Sequence, residues 1–254
     1  MASTSLPTII LGTMTYGGQT SEADAAIQLA SFADAGFTEI DTARMYEHGE
    51  TEKILGRIFE GDAALAGKLS IATKVNPFKG YNETLSPESV RTQAAACLGA
   101  LKTPCVDILY LHAPDLTTPI EDTLEAMNEL YVAGKFKRLG LSNYPSWEVM
   151  YIHSLCEKRG YPKPEIYQGM YNALTRQVEV ELLPCLDKLG MRFVAYNPLA
   201  GGMLTGKHLS ADSDASGTRF DPSNAMYRGR FWRPTVFAAM VVIRDACSAA
   251  GCVP

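Results

Sequence analysis

The sequence predicts an α/β fold of the (β/α)8 TIM-barrel type, with seven β-α units present and the eighth missing. Three observations predict it. Short apolar runs alternate with helical patterns along the 254 residues, and such alternation implies a parallel sheet. No early turn carries the G-x-G-x-x-G of a doubly wound dinucleotide fold; the first candidate, Leu11-Gly12-Thr13-Met14, does not match. The length fits the typical ~250 residues of a closed barrel. The whole chain, 1–254, therefore reads as a single barrel domain, incomplete at its C-terminal end.

The elements follow in order. A first strand is expected over 8–11, then a helix over 21–35 that Ser21 caps and Gly36 stops. Strand two spans 38–40 and helix two 51–59. Strand three, 69–73, precedes a helix over 87–101 with Ser86 at its cap and Pro87 at the first helical position. Strand four covers 106–111 and helix four 120–133. Strand five, 138–141, leads to helix five over 147–159. Strand six, 165–168, leads to helix six over 180–189, and strand seven is 192–196. A long irregular stretch then precedes helix seven at 235–249.

Composition narrows the function classes. With 23 Lys+Arg against 28 Asp+Glu the net charge is −5, and 46% of residues are hydrophobic. That excludes a disordered chain and argues against a nucleic-acid partner, which would require a basic surplus. No apolar run reaches the ~18 residues of a membrane span. Residues 1–10 lack the charged and apolar regions of a secretory leader. The six cysteines, Cys97, Cys105, Cys156, Cys185, Cys247 and Cys252, show no C-x-x-C pair and no histidine at zinc spacing. They read as buried free thiols of a cytoplasmic protein without a structural metal.

In barrels of this type chemistry sits where strands end. Strand two ends at Asp41, with Tyr46 five residues on; strand three ends at Lys74 and strand four at His112. Singly, each has an ordinary structural reading: a turn carboxylate, a snorkelling lysine, a satisfied histidine, a packing tyrosine. Their joint delivery to one rim points to acid–base chemistry. A tyrosine has a pKa near ~10, and a nearby ammonium lowers it. Asp41 would hold Lys74 in place, His112 would orient a carbonyl oxygen, and Tyr46 would protonate that oxygen as charge develops. No side chain supplies electrons, so a hydride-donating cofactor is the complement.

The motifs DTARMYEHGETEKILG at 41–56, ATKVNP at 72–77, LYLHAPD at 109–115, GLSNY at 140–144, YQGMYN at 167–172 and AYNPLAGGMLTGK at 195–207 resemble the aldo-keto reductase superfamily, and within it the aflatoxin-aldehyde-reductase branch. The resemblance covers nearly the whole chain. It implies a barrel that binds NADPH in extended form, and a catalytic tetrad of Asp41, Tyr46, Lys74 and His112 with Tyr46 as proton donor. By the same resemblance Ser142, Asn143 and Gln168 hold the nicotinamide carboxamide. The segment with Asn197, Pro198, Leu199, Gly201, Gly202, Leu204 and Lys207 covers the pyrophosphate, and Arg219 and Arg230 touch the cofactor. Tyr227, Met14 and Trp232 join His112 at the substrate pocket; Trp232 has an equal reading as a core residue.

Family members continue past helix seven with a further strand, helix and tail; the present sequence does not. The resemblance thus implies NADPH-dependent reduction of small aldehydes, with ketones or dicarbonyls as secondary substrates, and a homodimer as the assembly common in this branch. Two alternatives stand beside it. One is a weakly active or inactive binding module that pairs with a partner chain through its open edge. The other is a barrel aldolase with Lys74 as Schiff-base lysine.

Overall fold

A computed structural model of the chain describes residues 7–252. The reading of the N-terminus as leader-free falls in part on residues 1–6, outside those described. The chain forms two compact units. The first runs to Tyr167 and takes in Cys185–Arg192; the second comprises Gln168–Pro184 and the chain from Phe193 onward.

The fold is α/β with seven strands: β1 (Leu11–Gly12), β2 (Glu39–Asp41), β3 (Ser70–Val75), β4 (Val106–Leu111), β5 (Phe136–Ser142), β6 (Pro164–Met170) and β7 (Arg192–Tyr196). They adjoin in chain order, and β1 to β5 pair in parallel. Strand order equal to sequence order is the topology of barrel-type β-α repeats, and the seven expected units are all present. Burial is almost continuous along β3, β4 and β5, as expected of parallel strands covered on both faces.

Nine α-helices connect or follow the strands among the described residues: α1 (Glu22–Asp34), α2 (Glu50–Gly61), α3 (Ala63–Lys68), α4 (Pro87–Leu101), α5 (Ile120–Val132), α6 (Ser146–Arg159), α7 (Leu182–Leu189), α8 (Ala225–Phe231) and α9 (Pro234–Ala249). Their ends follow from local chemistry. The Ser21 side chain accepts from the Asp24 N–H at 3.1 Å, and Gly36 leaves α1 at φ +87°. Ser86 caps α4 by accepting from the Ser89 N–H. Two helices were not expected. α3 is a short turn capped by Asp62, and α8, capped by Asn224, lies within the stretch read as irregular. Neither carries the long apolar period that marks a helix in sequence. The first strand is also shorter than expected, with only Leu11 and Gly12 in the ladder.

The first unit's core is made where α2 and α4 lie against the sheet. Leu55, Phe59, Val90, Ala94, Cys97 and Leu101 are buried there with Ile40, Ile108 and Leu109. Gly56 is the tightest point: a Cβ at this position would lie 2.0 Å from the Ala100 backbone oxygen. Backbone cannot yield as a side chain tip does. Gly56→Ala is therefore expected to destabilise the protein by about 1–3 kcal/mol through overpacking, despite alanine's better helix propensity; urea unfolding at constant m-value measures it. At the start of the strands, Glu39 on β2 accepts from both terminal nitrogens of Arg192 on β7, at 2.8 Å for the Nη1–Oε1 contact. This hydrogen-bonded guanidinium holds the Glu39 carboxyl below its usual range.

Candidate active site

The site in the first unit follows from strand register. Asp41 pairs with Ala72, and Lys74 pairs with Tyr110. Side chains alternate along a strand, so Ala72 and Lys74 share a face, as do Tyr110 and the His112 position just beyond β4. Asp41, Lys74 and His112 thus emerge on one face at successive strand ends. The Lys74 side chain is fully buried; its Nζ donates to Asp41 Oδ2 at 2.6 Å and to the Thr42 carbonyl at 2.8 Å. Nζ also stands 5.3 Å from the Tyr46 ring centroid and 5.5 Å from that of Tyr110. Burial lowers the Lys74 pKa, and Asp41 acts in the opposite direction.

Tyr46 is delivered by a tight turn. Its N–H donates to the Ala43 carbonyl at 3.0 Å. It opens a 3-10 turn, Tyr46–Gly49, in which Glu47, His48 and Gly49 all have positive φ, at 44°, 54° and 87°. Left-handed non-glycine residues cost energy and cluster at functional sites. Gly49 suits this turn because its φ of +87° is one that residues with a side chain rarely adopt.

His112 meets the Tyr46 ring edge-on, with centroids 6.2 Å apart, and packs against Phe78 at 5.2 Å. It is nine-tenths buried, and its pKa is pushed down to about 3, first by burial and then by the Lys74 charge. The imidazole is therefore neutral at physiological pH. Its Nδ1 is buried with no hydrogen-bond partner among the described residues, which suits the tautomer with its proton on Nε2. The Asn143 side-chain amide donates to the His112 carbonyl at 2.9 Å and to the Ser142 hydroxyl at 3.0 Å. Asn143 itself is at φ 63°, an allowed left-handed use of Asn.

The neutral histidine gives a pH prediction. The folded pKa, about 3, lies below the ordinary 6.5. Between these values the unfolded chain binds the extra proton, so stability rises with pH through this window and is lost as pH falls. The full effect is of order 5 kcal/mol. His112→Gln is expected to flatten that part of the stability–pH curve, as measured by urea unfolding at pH 7 and pH 4.5.

Three contributors escaped sequence reading: the Thr42 carbonyl, the Tyr110 ring and Phe78. Tyr110 carried a signal, since it lies two residues before His112 on one strand and so on the same face. Glu52 was also missed. It is fully buried on α2, accepts from the Thr73 hydroxyl at 2.5 Å, and its pKa is raised by burial.

The family model for the aldo/keto reductase family matches residues 8–231. The chain belongs to this family. This reductase chain is similar to Aflatoxin B1 aldehyde reductase member 2 of Mus musculus, at 47% identity over 94% of the chain and 66% of that protein. It is 48% identical to the Homo sapiens protein of the same name, over 95% of the chain and 68% of the relative. Aflatoxin B1 aldehyde reductase member 4 of Homo sapiens is 45% identical over 96% and 74%. The chain thus spans about two thirds of the length of the member 2 relatives.

The other expected site residues of this aldo/keto reductase lie as follows. Met14 is half-buried past β1, and Ser142 is buried at the end of β5. Gln168 is buried on β6. In the second unit, Asn197 at φ 54° begins a segment in which Ala200, Gly201, Gly202 and Gly206 also have positive φ. A Cβ on Gly201 would strike the Tyr227 ring at 2.7 Å. Pro198 and Leu199 are exposed, Leu204 is buried, and Lys207 and Arg230 are exposed. Arg219 donates to the Tyr227 hydroxyl at 2.9 Å, and that hydroxyl donates to Asn197 Oδ1 at 3.4 Å. Trp232 is packed in an aromatic cluster with His208, Phe220 and Phe237, at centroid distances of 5.1–5.5 Å.

Among the described residues no group of three or more His, Cys, Asp or Glu could hold a metal ion, and no helix is long and apolar enough to cross a membrane. The cysteines are all free, but only Cys97 and Cys156 are buried and Cys252 is exposed. The expectation of buried thiols therefore holds for two of the six: α9 places its last turn at the surface, which apolar content alone did not reveal.

Proposed function

We propose that the chain is an NADPH-dependent reductase of small aldehydes, with ketones or dicarbonyls as secondary substrates. The observation that carries this reading is Lys74, fully buried between the Asp41 carboxylate and the Tyr46 ring. When bound, NADPH would supply a hydride to the carbonyl carbon. The chain's residues do the rest. Neutral His112 donates from Nε2 to the carbonyl oxygen and orients it. The Lys74 ammonium favours the phenolate form of Tyr46 and so eases its loss of a proton. Tyr46 transfers that proton to the oxygen as negative charge grows there. Asp41 keeps the ammonium charged against burial.

The donor chemistry of this chain fits the cofactor. Hydroxyl and amide groups of Ser142, Asn143 and Gln168 suit a carboxamide. The glycines and successive positive φ of the Asn197 to Lys207 segment allow close backbone approach to a pyrophosphate, and Lys207, Arg219 and Arg230 suit phosphate charge. Met14, Tyr227 and Trp232 stay assigned to the substrate side on the family resemblance. A lysine with two hydrogen-bond acceptors and no exposure is poorly placed for Schiff-base chemistry, which weighs against an aldolase. Free thiols support a cytoplasmic setting, and a homodimer is the assembly this reading expects.

The test is absorbance-monitored NADPH oxidation by the purified chain with 4-nitrobenzaldehyde, beside NADPH binding measured by fluorescence. Saturable turnover is expected. A folded chain that bound NADPH without turnover would overturn the catalytic reading in favour of a binding module.

A further inference from the structure

Five helices of this chain end in the same way. A glycine at positive φ stands one or two residues past the helix, and the next residue's N–H returns to the carbonyl five positions earlier. The closing pairs are Phe37 to Phe32 in α1, Lys135 to Leu130 in α5, Tyr161 to Cys156 in α6, Met191 to Leu186 in α7 and Cys252 to Cys247 in α9. The glycines are Gly36, Gly134, Gly160, Gly190 and Gly251, at φ 87°, 68°, 67°, 67° and 68°. This Schellman motif brings the two closing side chains together. In α1 the contact is plain: the Phe32 and Phe37 rings stack at 5.1 Å. In α9 both members are cysteines.

The α9 motif is well formed. The Cys252 N–H donates to the Cys247 carbonyl at 3.0 Å, the Gly251 N–H to the Ser248 carbonyl at 3.2 Å, and the Cys252 thiol to the Cys247 carbonyl at 3.6 Å. Cys252 is exposed and Cys247 half-buried. A disulfide requires Cα atoms within about 7 Å and side chains that face each other; here the 3.0 Å backbone bond holds the two residues close, and the two thiols hydrogen-bond each other. We propose that Cys247 and Cys252 are a thiol modification site that closes into a reversible intrachain disulfide with small disulfides of the glutathione class.

The chemistry balances. The Cys252 thiolate attacks glutathione disulfide, releasing one glutathione and leaving a mixed disulfide. The Cys247 thiolate then attacks the Cys252 sulfur and expels the second glutathione. Two protein thiols are oxidised, and one glutathione disulfide is reduced to two thiols. Partial desolvation and the hydrogen bond with Cys252 raise the Cys247 thiol, so the second step quickens as pH rises.

Trypsin cleavage after Arg244 yields peptide 245–254, which contains both cysteines and no other. The folded chain is equilibrated with a fixed ratio of reduced to oxidised glutathione, alkylated, digested and weighed. The expected product is that peptide lighter by two hydrogens. Gly251→Ala tests the motif, because its Cβ meets nothing within 4 Å and the substitution acts only through the positive φ. Bridge formation at equilibrium is expected to fall roughly tenfold in this variant and in the free peptide 245–254. Persistent glutathione adducts without a bridge, or equal bridging in the chain, the variant and the peptide, would overturn the proposal.

Discussion

Tyr46→Phe is expected to lower kcat for aldehyde reduction by about 10²–10⁴-fold, the range that a positioned general acid contributes, while NADPH affinity and the unfolding midpoint stay near those of the parent. The substitution removes one hydroxyl and keeps the ring that stands 5.3 Å from Lys74 and edge-on to His112. The turn that delivers it depends on backbone, not on the phenol: the Tyr46 N–H bond to Ala43 and the positive φ values after it are unchanged. Steady-state kinetics with an aldehyde, next to fluorescence titration of NADPH, separates the two readouts. Wild-type turnover in this variant would sink the role assigned to Tyr46.

The second large effect concerns the buried pair. Asp41→Ala leaves the fully buried Lys74 ammonium with only the Thr42 carbonyl as its nearest acceptor. Breaking a buried pair from one side costs about 3–5 kcal/mol, and reductase turnover is expected to fall with it, since Lys74 then sheds its proton or moves. Lys74→Met removes the charge and keeps the volume. Its stability cost is expected to be smaller than that of Asp41→Ala, because the carboxylate left behind retains some exposure, but its activity should be as low. The sign of the pH effect distinguishes the two. In Asp41→Ala the depressed Lys74 pKa means that the unfolded chain holds the extra proton at neutral to alkaline pH, so stability rises with pH there. In Lys74→Met this slope disappears. Urea unfolding across pH 7 to pH 10 measures both.

Much of the site was legible because strands alternate and barrels deliver chemistry at strand ends. Asp41, Lys74 and His112 each follow an apolar run, and their order along three successive strands needed no coordinates. What was not legible has a physical cause. Tyr110 and Phe78 look like core aromatics until the folded chain places Tyr110 against Lys74 and Phe78 against His112. Glu52 reads as a surface residue of a charged helix, yet its α2 face packs inward and buries it. α8 escaped notice because seven residues with two arginines flanking a glycine show little helical period. Trp232 had an equal reading as core or pocket, and the aromatic cluster shows what it packs against.

Local chemistry set the punctuation: Ser21, Ser86 and the terminal glycines place helix ends through short-range hydrogen bonds and the freedom of positive φ. The alternation of apolar runs set the strand order, because a β-α-β crossover admits few arrangements. Quantities that depend on what lies across space came only with the folded chain. The neutrality of His112 arises from its burial beside a charge 38 positions earlier, at Lys74. The pairing of Arg192 with Glu39 joins residues 153 apart, and no periodicity within either segment encodes it. Sequence pattern fixes which face a side chain takes; desolvation and long-range partners, which fix its charge state, exist only after the strands have come together.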